Sequence, residues 1–335
     1  MNLPSYFTEF LAEIEPSQSY KDDQQKGHTT LRKRLAEDED FGKIHVNTFL
    51  QGSYKRRTII HPGKDVDIVV VTSLEPDTTA ASAATAQLKK CLDKYYPGKV
   101  TAQNRSLNVE LSYVTMDVVI AASRDLRSQN AFANLRGFAS LEEAASWKAQ
   151  PLQIPDRDLK KWVDTHPKKQ LEWTTALNKA SDGYFVPLVK MFKWWRKEAY
   201  SSPAYPKGYV LERLVGEVFD QSKRDDAEGF VQFLRNLVST YDAYATLNMV
   251  PSLPDAGVPS HNVLARVSAA DFKIFMAKAK AALATAEAAL ASTDKAESAE
   301  LWRKLFGSKF PAAPTVKAAF AASAIRPPNR PEGFG

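Results

Sequence analysis

The sequence contains the segment Gln51-Gly52-Ser53-Tyr54-Lys55-Arg56-Arg57-Thr58 and, shortly after it, the segment Asp65-Val66-Asp67-Ile68-Val69-Val70-Val71. The apolar run of the second segment predicts a buried, central strand. Side chains two residues apart on a strand project from the same face of the sheet, so those of Asp65 and Asp67 are expected to lie next to each other. The sequence therefore predicts a pair of carboxylates at the beginning of a core strand.

Neighbouring carboxylates are unfavourable in a protein interior, where charge repulsion would force one of them to bind a proton. A divalent cation removes the repulsion, and Mg²⁺ is usually bound by a few carboxylates together with phosphates of the substrate. Asp117 supplies a third carboxylate, from the apolar segment Met116-Asp117-Val118-Val119-Ile120. We therefore predict that Asp65, Asp67 and Asp117 are catalytic and bind two metal ions, Mg²⁺ or alternatively Mn²⁺. One ion would hold a triphosphate and the other would activate an attacking hydroxyl, for which Asp117 could also be the general base.

Gly52 and Ser53 follow the predicted strand 44–50 and precede a turn or a helix. Glycine lets backbone N–H groups approach a phosphate closely, and the serine hydroxyl adds a hydrogen-bond donor. We therefore assign Gln51, Gly52 and Ser53 to nucleotide binding. The basic cluster Lys55-Arg56-Arg57 could add positive charge there, although such clusters are usually solvated surface.

Each of these motifs is common by itself, since Asp-X-Asp and Gly-Ser both occur often in turns. Their order and spacing are more specific, because Asp65 follows Ser53 by 12 residues and a third aspartate lies on a later apolar strand. The combination indicates an enzyme that transfers nucleotides.

Length and composition limit the classes of protein that fit. A chain of 335 residues exceeds the roughly 250–300 residues at which a single hydrophobic core stops growing, so two lobes are expected. No apolar run approaches the ~18 residues of a membrane span and no signal peptide opens the sequence, so we expect a cytoplasmic protein without a membrane partner. Cys91 is the only cysteine, which excludes an internal disulfide and a cysteine-based zinc site. The net charge of +6 supports an anionic partner only weakly, because a solvated basic surface explains it better.

Apolar periodicity predicts the order of helices and strands. Strands are predicted at residues 44–50, 66–71, 107–113 and 116–121, and helices at 6–14 and 80–96. Ser17 or Ser19 could cap a longer helix in which Leu31 and Leu35 point inward. Segment 123–154 has mixed helical and loop character. Further helices are predicted at 158–163, 170–181, 185–200, 211–220, 229–244 and 269–291, the last one opened by a capping box at Ser268 and Asp271.

This pattern predicts an α+β fold with three parts. Residues 1–150 form a catalytic lobe with a mixed sheet, and residues 151–310 form a helical substrate-binding lobe. Residues 311–335 are rich in proline and alanine and are expected to be a flexible tail. The N-terminal helix could pack across both lobes.

The order of Gly-Ser, Asp-X-Asp and a later strand aspartate resembles the polymerase-β-like nucleotidyltransferase superfamily. Beyond that motif the sequence resembles the bacterial CD-NTases, relatives of cyclic GMP-AMP synthase and oligoadenylate synthase, and within them clade D. The resemblance covers about residues 1–310 and is carried by the blocks Thr48-Phe49-Leu50-Gln51-Gly52-Ser53, Pro155-Asp156-Arg157, Thr165-His166-Pro167, Val189-Lys190-Met191-Phe192-Lys193-Trp194-Trp195-Arg196, Tyr205-Pro206-Lys207-Gly208-Tyr209 and Leu301-Trp302-Arg303-Lys304-Leu305-Phe306-Gly307-Ser308-Lys309-Phe310.

The resemblance implies a polymerase-β-like lobe and a helical lobe with the active site in the cleft between them. It implies a synthase that uses ATP and GTP with two Mg²⁺ ions to make a cyclic oligonucleotide. The favoured product is a cyclic trinucleotide such as cyclic AMP-AMP-GMP, and a cyclic dinucleotide comes next. Such a product would be a second messenger that activates a downstream effector in CBASS anti-phage defence.

The resemblance also implies further site residues. Lys193 matches the lysine that holds the donor triphosphate, and Lys190 lies on a neighbouring position of the same helix surface. The apolar residues of that helix also fit a purely structural role in the core. Tyr209 matches an aromatic residue that stacks on a base. Many relatives have serine just before it, whereas this sequence has Gly208, for which Lys207 could compensate as a phosphate contact.

The expected partners extend beyond the substrates. The sequence lacks the zinc insertion of the animal DNA sensor, so direct activation by double-stranded DNA is not expected. Ubiquitin-like conjugation enzymes could act on Gly335, while an ordinary tail is the alternative. Two other functions remain open: nucleotide transfer to RNA or to a small molecule, and a catalytically silent scaffold regulated by nucleotides.

Overall fold

The computed structural model describes residues 1–63, 65–123, 150–200 and 205–313. The expected flexible tail therefore lies outside the described residues except for its first three positions, and so does Gly335. Most of the segment predicted to have mixed helical and loop character also lies outside them.

The described residues form one mixed sheet of seven strands in the order β1-β2-β5-β4-β3, with β6 paired to β5 and β7 to β6. Strands β2 and β5 are parallel, and the other pairs are antiparallel. The two parallel strands are central because they are apolar runs that can be buried on both faces. The strands are β1 His45–Leu50, β2 Val66–Thr72, β3 Val100–Ala102, β4 Leu107–Glu110, β5 Thr115–Ser123, β6 Leu152–Asp156 and β7 Lys161–Thr165.

Ten α-helices occur in the described part of the chain, and two of them begin where the sequence predicts a cap. The Ser17 side chain accepts a hydrogen bond from the Tyr20 backbone N–H, and the Ser268 side chain accepts one from that of Asp271, so both predicted caps are confirmed. The helices are α1 Pro4–Glu13, α2 Gln18–Glu37, α3 Gly52–Lys55, α4 Ala81–Tyr95, α5 Pro167–Ala180, α6 Phe185–Ala199, α7 Tyr209–Val218, α8 Asp226–Thr246, α9 Ala269–Ala291 and α10 Lys295–Phe306.

The two faces of the sheet have different surroundings. On β2, Val66, Ile68 and Val70 point into a core that is completed by apolar residues of α2 and α4. Val69 and Val71 point to the opposite face, into a small cluster that includes Val119 of β5. The beginning of β2 on this second face is therefore left for polar side chains.

The helical lobe has a separate core, and α1 belongs to it. Phe10 stacks on Phe306 with ring centroids 4.5 Å apart, and Phe7 meets the Trp302 ring edge-on at 5.0 Å. One backbone hydrogen bond, from the His61 N–H to the Ile14 carbonyl, ties the end of α1 to the connection that precedes β2. The N-terminal helix thus packs in the helical core and reaches the catalytic lobe at its end.

Two predictions require correction. The helix predicted at residues 158–163 is wrong: the backbone turns after Asp156 and continues as β7, which pairs with β6 in a register that includes Ile154 with Val163 and Pro155 with Trp162. The predicted lobe boundary at residue 150 falls before both strands, although hydrogen bonds make them part of the sheet. A boundary near residue 166, where α5 begins, fits the hydrogen bonding better. Strand β3 was not predicted, because three residues are too few for a periodic signal.

Each described helix is either too short or too polar to cross a lipid bilayer.

The aromatic packing around Trp302 leads to a stability prediction. Trp302 is fully buried and contacts Phe7, Phe230 and Phe306. Replacing it with alanine should lower the free energy of unfolding by about 3–5 kcal/mol, because the lost contacts leave a cavity. Urea denaturation followed by circular dichroism measures this change.

The matched control is Leu247→Ala at the end of α8, where 69% of the side chain is exposed. We expect this substitution to change the free energy of unfolding by less than about 0.5 kcal/mol. Equal effects of the two substitutions would contradict the placement of Trp302 in the core.

Candidate active site

The parallel pairing of β2 and β5 brings two of the predicted carboxylates together. The register places Asp67 directly opposite Asp117, both near the beginnings of their strands, and Asp65 immediately precedes β2. All three side chains line one cavity of about 370 Å³. The apolar neighbours of Asp117 predict that it lies on a separate strand. The structure places that strand next to β2, so Asp117 lies beside the first two aspartates.

Asp117 is held by a side chain of the next strand. Asn108 on β4 is its register partner and donates a hydrogen bond of 2.8 Å from Nδ2 to Oδ1 of Asp117. This hydrogen bond fixes the orientation of the carboxylate.

Without a bound cation, burial and mutual repulsion disfavour the charged forms of these carboxylates. Burial, followed by the charge of Asp117, raises the pKa of Asp67 to about 6, although the nearby Arg56 opposes the increase. Burial also raises the pKa of Asp117, which the hydrogen bond from Asn108 opposes and the charge of Asp65 reinforces. In the metal-free protein these carboxylates therefore hold protons more tightly than carboxylates in water do.

These donors fit a divalent cation that the substrate helps to bind. Three carboxylates are the oxygen ligands that Mg²⁺ prefers, and a bound cation would relieve their repulsion. Among the described residues, however, no three His, Cys, Asp or Glu side chains form a group close enough to hold an ion by themselves. Mg²⁺ commonly takes one or two carboxylates and completes its shell with phosphates, so an open arrangement agrees with that mode of binding.

Position 52 requires glycine for two reasons, its backbone conformation and its closeness to Asp67. Its φ angle is +69°, and a Cβ atom at this position would lie 1.7 Å from Oδ2 of Asp67. The backbone N–H of Gln51 donates a 2.9 Å hydrogen bond to the Asp67 carbonyl, which keeps the turn against the strand. The turn of Gln51, Gly52 and Ser53 therefore forms the wall of the cavity next to the carboxylates.

The opposite wall comes from the helical lobe. Tyr209 at the beginning of α7 lines the cavity together with Gly208, Gln170 and Glu212. The cavity therefore lies in the cleft between the two lobes. The guanidinium carbon of Arg56 lies 4.9 Å from the centroid of the Tyr209 ring, so one face of this ring is already covered.

The structure does not bring the three predicted lysines to the cavity wall. The Lys193 ammonium donates to Oε1 of Glu212 at 2.6 Å and to the carbonyl oxygen of Thr58 at 3.0 Å, which places it behind Glu212. Lys190 forms an ion pair with Glu15, which lies just after helix α1. The Lys207 ammonium lies 5.0 Å from the centroid of the Tyr205 ring. Their roles in triphosphate binding stay predictions.

Several residues of the site were not predicted individually. Arg56 lines the cavity, whereas Arg57 is exposed and Lys55 lines a neighbouring cavity, so the basic cluster has three different environments. Glu212 could have been noticed as an acid within the apolar sequence of α7, and Asn108 as a polar residue between the buried Leu107 and Val109 on β4. The chain gives no local signal for what these two side chains bind.

Comparisons with known proteins agree with this geometry. The family model "Second Messenger Oligonucleotide or Dinucleotide Synthetase domain" matches residues 1–132. A "Probable cyclic AMP-AMP-GMP nucleotide synthase" of Salmonella paratyphi B is 41% identical, over 93% of this chain and 92% of the relative. A "Cyclic AMP-AMP-AMP synthase" of an Acinetobacter strain is 34% identical, over 100% of this chain and 98% of the relative.

A solved structure shows the same fold. The CD-NTase CdnC of Escherichia coli MS115-1, solved with ATP, superposes with a TM-score of 0.70 at 18% identity, over 92% of this chain and 99% of the other. The predicted α+β fold of a polymerase-β-like lobe and a helical lobe is therefore confirmed, and so is the resemblance inferred from the sequence blocks.

The contact between Gly52 and Asp67 generates a prediction. Gly52→Ala should reduce nucleotide incorporation by about 100-fold or more, because a 1.7 Å approach forces either the turn or the Asp67 carboxylate to move. The measurement is the rate at which labelled nucleotide enters product. Gly98→Ala is the control, since Gly98 has a φ of +70° but no atom within 4 Å of its Cβ position. Equal losses in both variants would mean that backbone strain, and not the carboxylate, explains the effect.

The raised pKa of Asp67 generates a second prediction. The folded protein keeps the Asp67 proton up to about pH 6, while the unfolded chain releases it near the ordinary value of 3.8. Raising the pH from 4 to 6.5 should therefore destabilise the metal-free wild type relative to Asp67→Asn, by at most about 3 kcal/mol. Thermal unfolding of both proteins across this pH range measures the difference. A difference that does not change with pH would contradict the raised pKa, and added Mg²⁺ with nucleotide should reduce it.

Proposed function

Because this chain belongs to the CD-NTase family of bacterial nucleotidyltransferases, we propose that it joins ATP and GTP into a cyclic trinucleotide, with cyclic AMP-AMP-GMP as the favoured product. The observation that carries the proposal is the meeting of Asp65, Asp67 and Asp117 beside the Gly52 turn, in a cleft between the lobes. A catalytically silent scaffold would have no need for this unfavourable group of charges. The similarity to the relative named "Probable cyclic AMP-AMP-GMP nucleotide synthase" extends over 93% of this chain, which favours cyclisation over transfer to RNA or to a small molecule.

The proposed chemistry is repeated phosphodiester formation. In each step the oxygen of a ribose hydroxyl bonds to the α-phosphorus of a nucleoside triphosphate, the bond from that phosphorus to pyrophosphate breaks, and the hydroxyl proton is released. Three such steps close a cyclic trinucleotide and release three pyrophosphates. Mg²⁺ bound by Asp65, Asp67 and Asp117 would lower the pKa of the attacking hydroxyl and neutralise the charge on the leaving group.

Residues of this chain would position the donor nucleotide. The turn at Gly52 and Ser53 offers backbone N–H groups and a hydroxyl to the phosphates. Asn108 holds the Asp117 carboxylate in place, where it can serve as a metal ligand and accept the proton of the attacking hydroxyl. Tyr209 would stack on a base with the ring face that Arg56 does not cover.

The acceptor nucleotide has a place beside the donor. A second cavity of about 600 Å³ shares Thr165, Gln170 and Tyr209 with the catalytic cavity. The Gln170 side-chain amide donates to both carboxylate oxygens of Asp255, at 2.9 and 3.2 Å, which orients the amide oxygen of Gln170. An amide fixed in this way can accept a hydrogen bond from an N–H group on the edge of a base, and hydrogen-bonding groups held in place are what let a site discriminate between substrates.

We place the product in CBASS anti-phage defence, as a second messenger that activates an effector protein. The family resemblance supports this role. Conjugation of Gly335 by ubiquitin-like conjugation enzymes is a further proposal that rests on the sequence alone.

The decisive experiment identifies the product. Purified protein is incubated with labelled ATP, GTP and Mg²⁺, and the products are treated with phosphatase and analysed by mass spectrometry. We expect a phosphatase-resistant cyclic trinucleotide with two adenines and one guanine. Linear, phosphatase-sensitive products would favour transfer to another acceptor, and three adenines would change the assignment of the third base.

The same assay tests the carboxylates. Asp67→Asn should reduce product formation by about 1,000-fold or more, because a metal ligand is lost. The control Asp40→Asn changes an exposed carboxylate that pairs with Lys43 on the surface, and it should leave the rate unchanged. Full activity of Asp67→Asn would overturn the metal assignment.

A further inference from the structure

A cavity of about 720 Å³ lies where the β6–β7 hairpin meets the loop that precedes α4. Residues 76–82 form one wall, and residues of the hairpin between positions 155 and 162 form the other. The catalytic cavity, of about 370 Å³, shares no lining residue with it. This cavity is therefore separate from the cleft in which the carboxylates meet.

The hairpin brings three cations to this cavity. Arg157, Lys160 and Lys161 line it, and all three residues are exposed. Nη1 of Arg157 donates a 3.0 Å hydrogen bond to the carbonyl oxygen of Gln103, which holds the guanidinium in place. Cations grouped in a concave site attract anionic ligands.

The acids that line the cavity do not cancel this charge. Asp156 accepts hydrogen bonds from Nε of Arg105 at 2.7 Å and from the Leu159 backbone N–H at 3.0 Å. The charge of Arg105, which does not itself line the cavity, thus compensates Asp156. Asp77 is the other acid on the wall, so the three cations leave an excess of positive charge.

The wall opposite the cations adds hydrogen-bond donors. Helix α4 begins at Ala81, and within the described chain no side chain caps its N-terminus. The first backbone N–H groups of a helix have no partner inside the helix, and such groups bind phosphates. The hydroxyls of Thr78 and Ser82 belong to the same wall. Both walls therefore offer donors to an anion.

The cavity also has apolar surface. Pro76, Pro155 and Trp162 line it. The indole N–H of Trp162 donates a 2.8 Å hydrogen bond to the carbonyl oxygen of Thr79, which holds the ring against the loop before α4. A ligand that matches both parts of the cavity carries phosphate groups together with a ring system.

We propose that this cavity binds a phosphorylated small molecule that contains a ring, such as a nucleotide, and that it is separate from the catalytic site. The catalytic cavity is lined by Asp65, Asp67 and Asp117 and needs cations before it can accept phosphate. The cavity beside α4 supplies the positive charge from its own side chains. The two sites therefore differ in their need for a metal ion.

Strand β7 links this cavity to the cleft. Lys161 lines both this cavity and the cavity proposed for the acceptor nucleotide, and Thr165 at the other end of the strand lines the catalytic cavity. The four steps from Lys161 to Thr165 span about 13 Å. A ligand that moves the beginning of β7 would therefore move a wall of the cleft, so we expect it to change the rate of synthesis. This coupling rests on the proposed function, whereas the binding does not.

The binding test uses adenosine 3′,5′-bisphosphate in the absence of Mg²⁺, where the three aspartates repel phosphate from the catalytic cavity. The readout is the NMR signal of the Trp162 indole N–H, assigned by its loss in Trp162→Phe. We expect a saturable shift of this signal, while the signals of the buried Trp194 and Trp302 stay in place. Adenosine, which has no phosphate, should bind about tenfold or more weakly.

The double variant Arg157→Gln/Lys160→Gln tests the cations. It should lose about tenfold or more in affinity for the bisphosphate, because hydrogen bonds between charged groups are lost. Lys273→Gln/Lys278→Gln is the control, since it removes the same charge from two exposed positions on α9. It should keep the wild-type affinity.

Three results would overturn the site. These are a Trp162 signal that does not shift, equal affinities for adenosine and the bisphosphate, and equal losses in the two double variants. The last result would mean that net charge, and not this cavity, attracts the ligand.

The coupling is tested by the rate of nucleotide incorporation with Mg²⁺, with and without the bisphosphate. We expect the rate to change at least about twofold in the wild type and to stay the same in Arg157→Gln/Lys160→Gln. An equal change in both proteins would mean binding in the catalytic cleft and would overturn the coupling. An unchanged rate in a wild type whose Trp162 signal shifts defeats the coupling and supports the site. If the wild type makes no cyclic product, the proposed function fails, whereas a Trp162 shift still supports the site.

Discussion

Repulsion between the carboxylates on β2 and β5 is the constraint around which the site is built. A parallel register puts Asp67 opposite Asp117, and burial raises the pKa of both. A folded protein tolerates such a pair only if other groups hold the carboxylates in place and lower their charge. Asn108 donates a hydrogen bond to Asp117, the charge of Arg56 favours the ionised form of Asp67, and bound metal ions would offset the remaining repulsion. The close approach of Gly52 keeps the turn beside these carboxylates, because a side chain at this position would collide with Asp67.

The sequence predicts the parts of this site that are local. Alternation on a strand gives the neighbouring positions of Asp65 and Asp67, and apolar flanks identify the strand that carries Asp117. The caps at Ser17 and Ser268 are equally local, and the structure has both. Strands β6 and β7 could not be recognised in this way. A five-residue segment of mixed polarity such as Lys161–Thr165 has no clear period, and its strand conformation depends on the pairing of β6 with β7.

Pairs between residues that are far apart along the chain are beyond such reasoning. Glu212 finds Arg56 at a distance of 156 residues along the chain, and Lys190 finds Glu15 at 175. No spacing rule connects these positions, so a charged residue in an apolar helix can be noticed but not matched to its partner. The same limit explains why Lys193 was assigned by resemblance to the triphosphate, while its ammonium lies on a carboxylate.

Lys193 and Arg56 bind the same carboxylate, that of Glu212, from different positions. Both carry one positive charge and both bind Glu212, yet one ends in a compact ammonium and the other in a planar fork. Without Lys193, the hydrogen bonds to the buried Glu212 carboxylate would come from Arg56 and Thr58. Arg56 binds Glu212 with Nε and Nη2 of its planar guanidinium and also lines the cavity. Lys193 thus contacts the cavity wall through the carboxylate of Glu212, although it does not line the cavity itself.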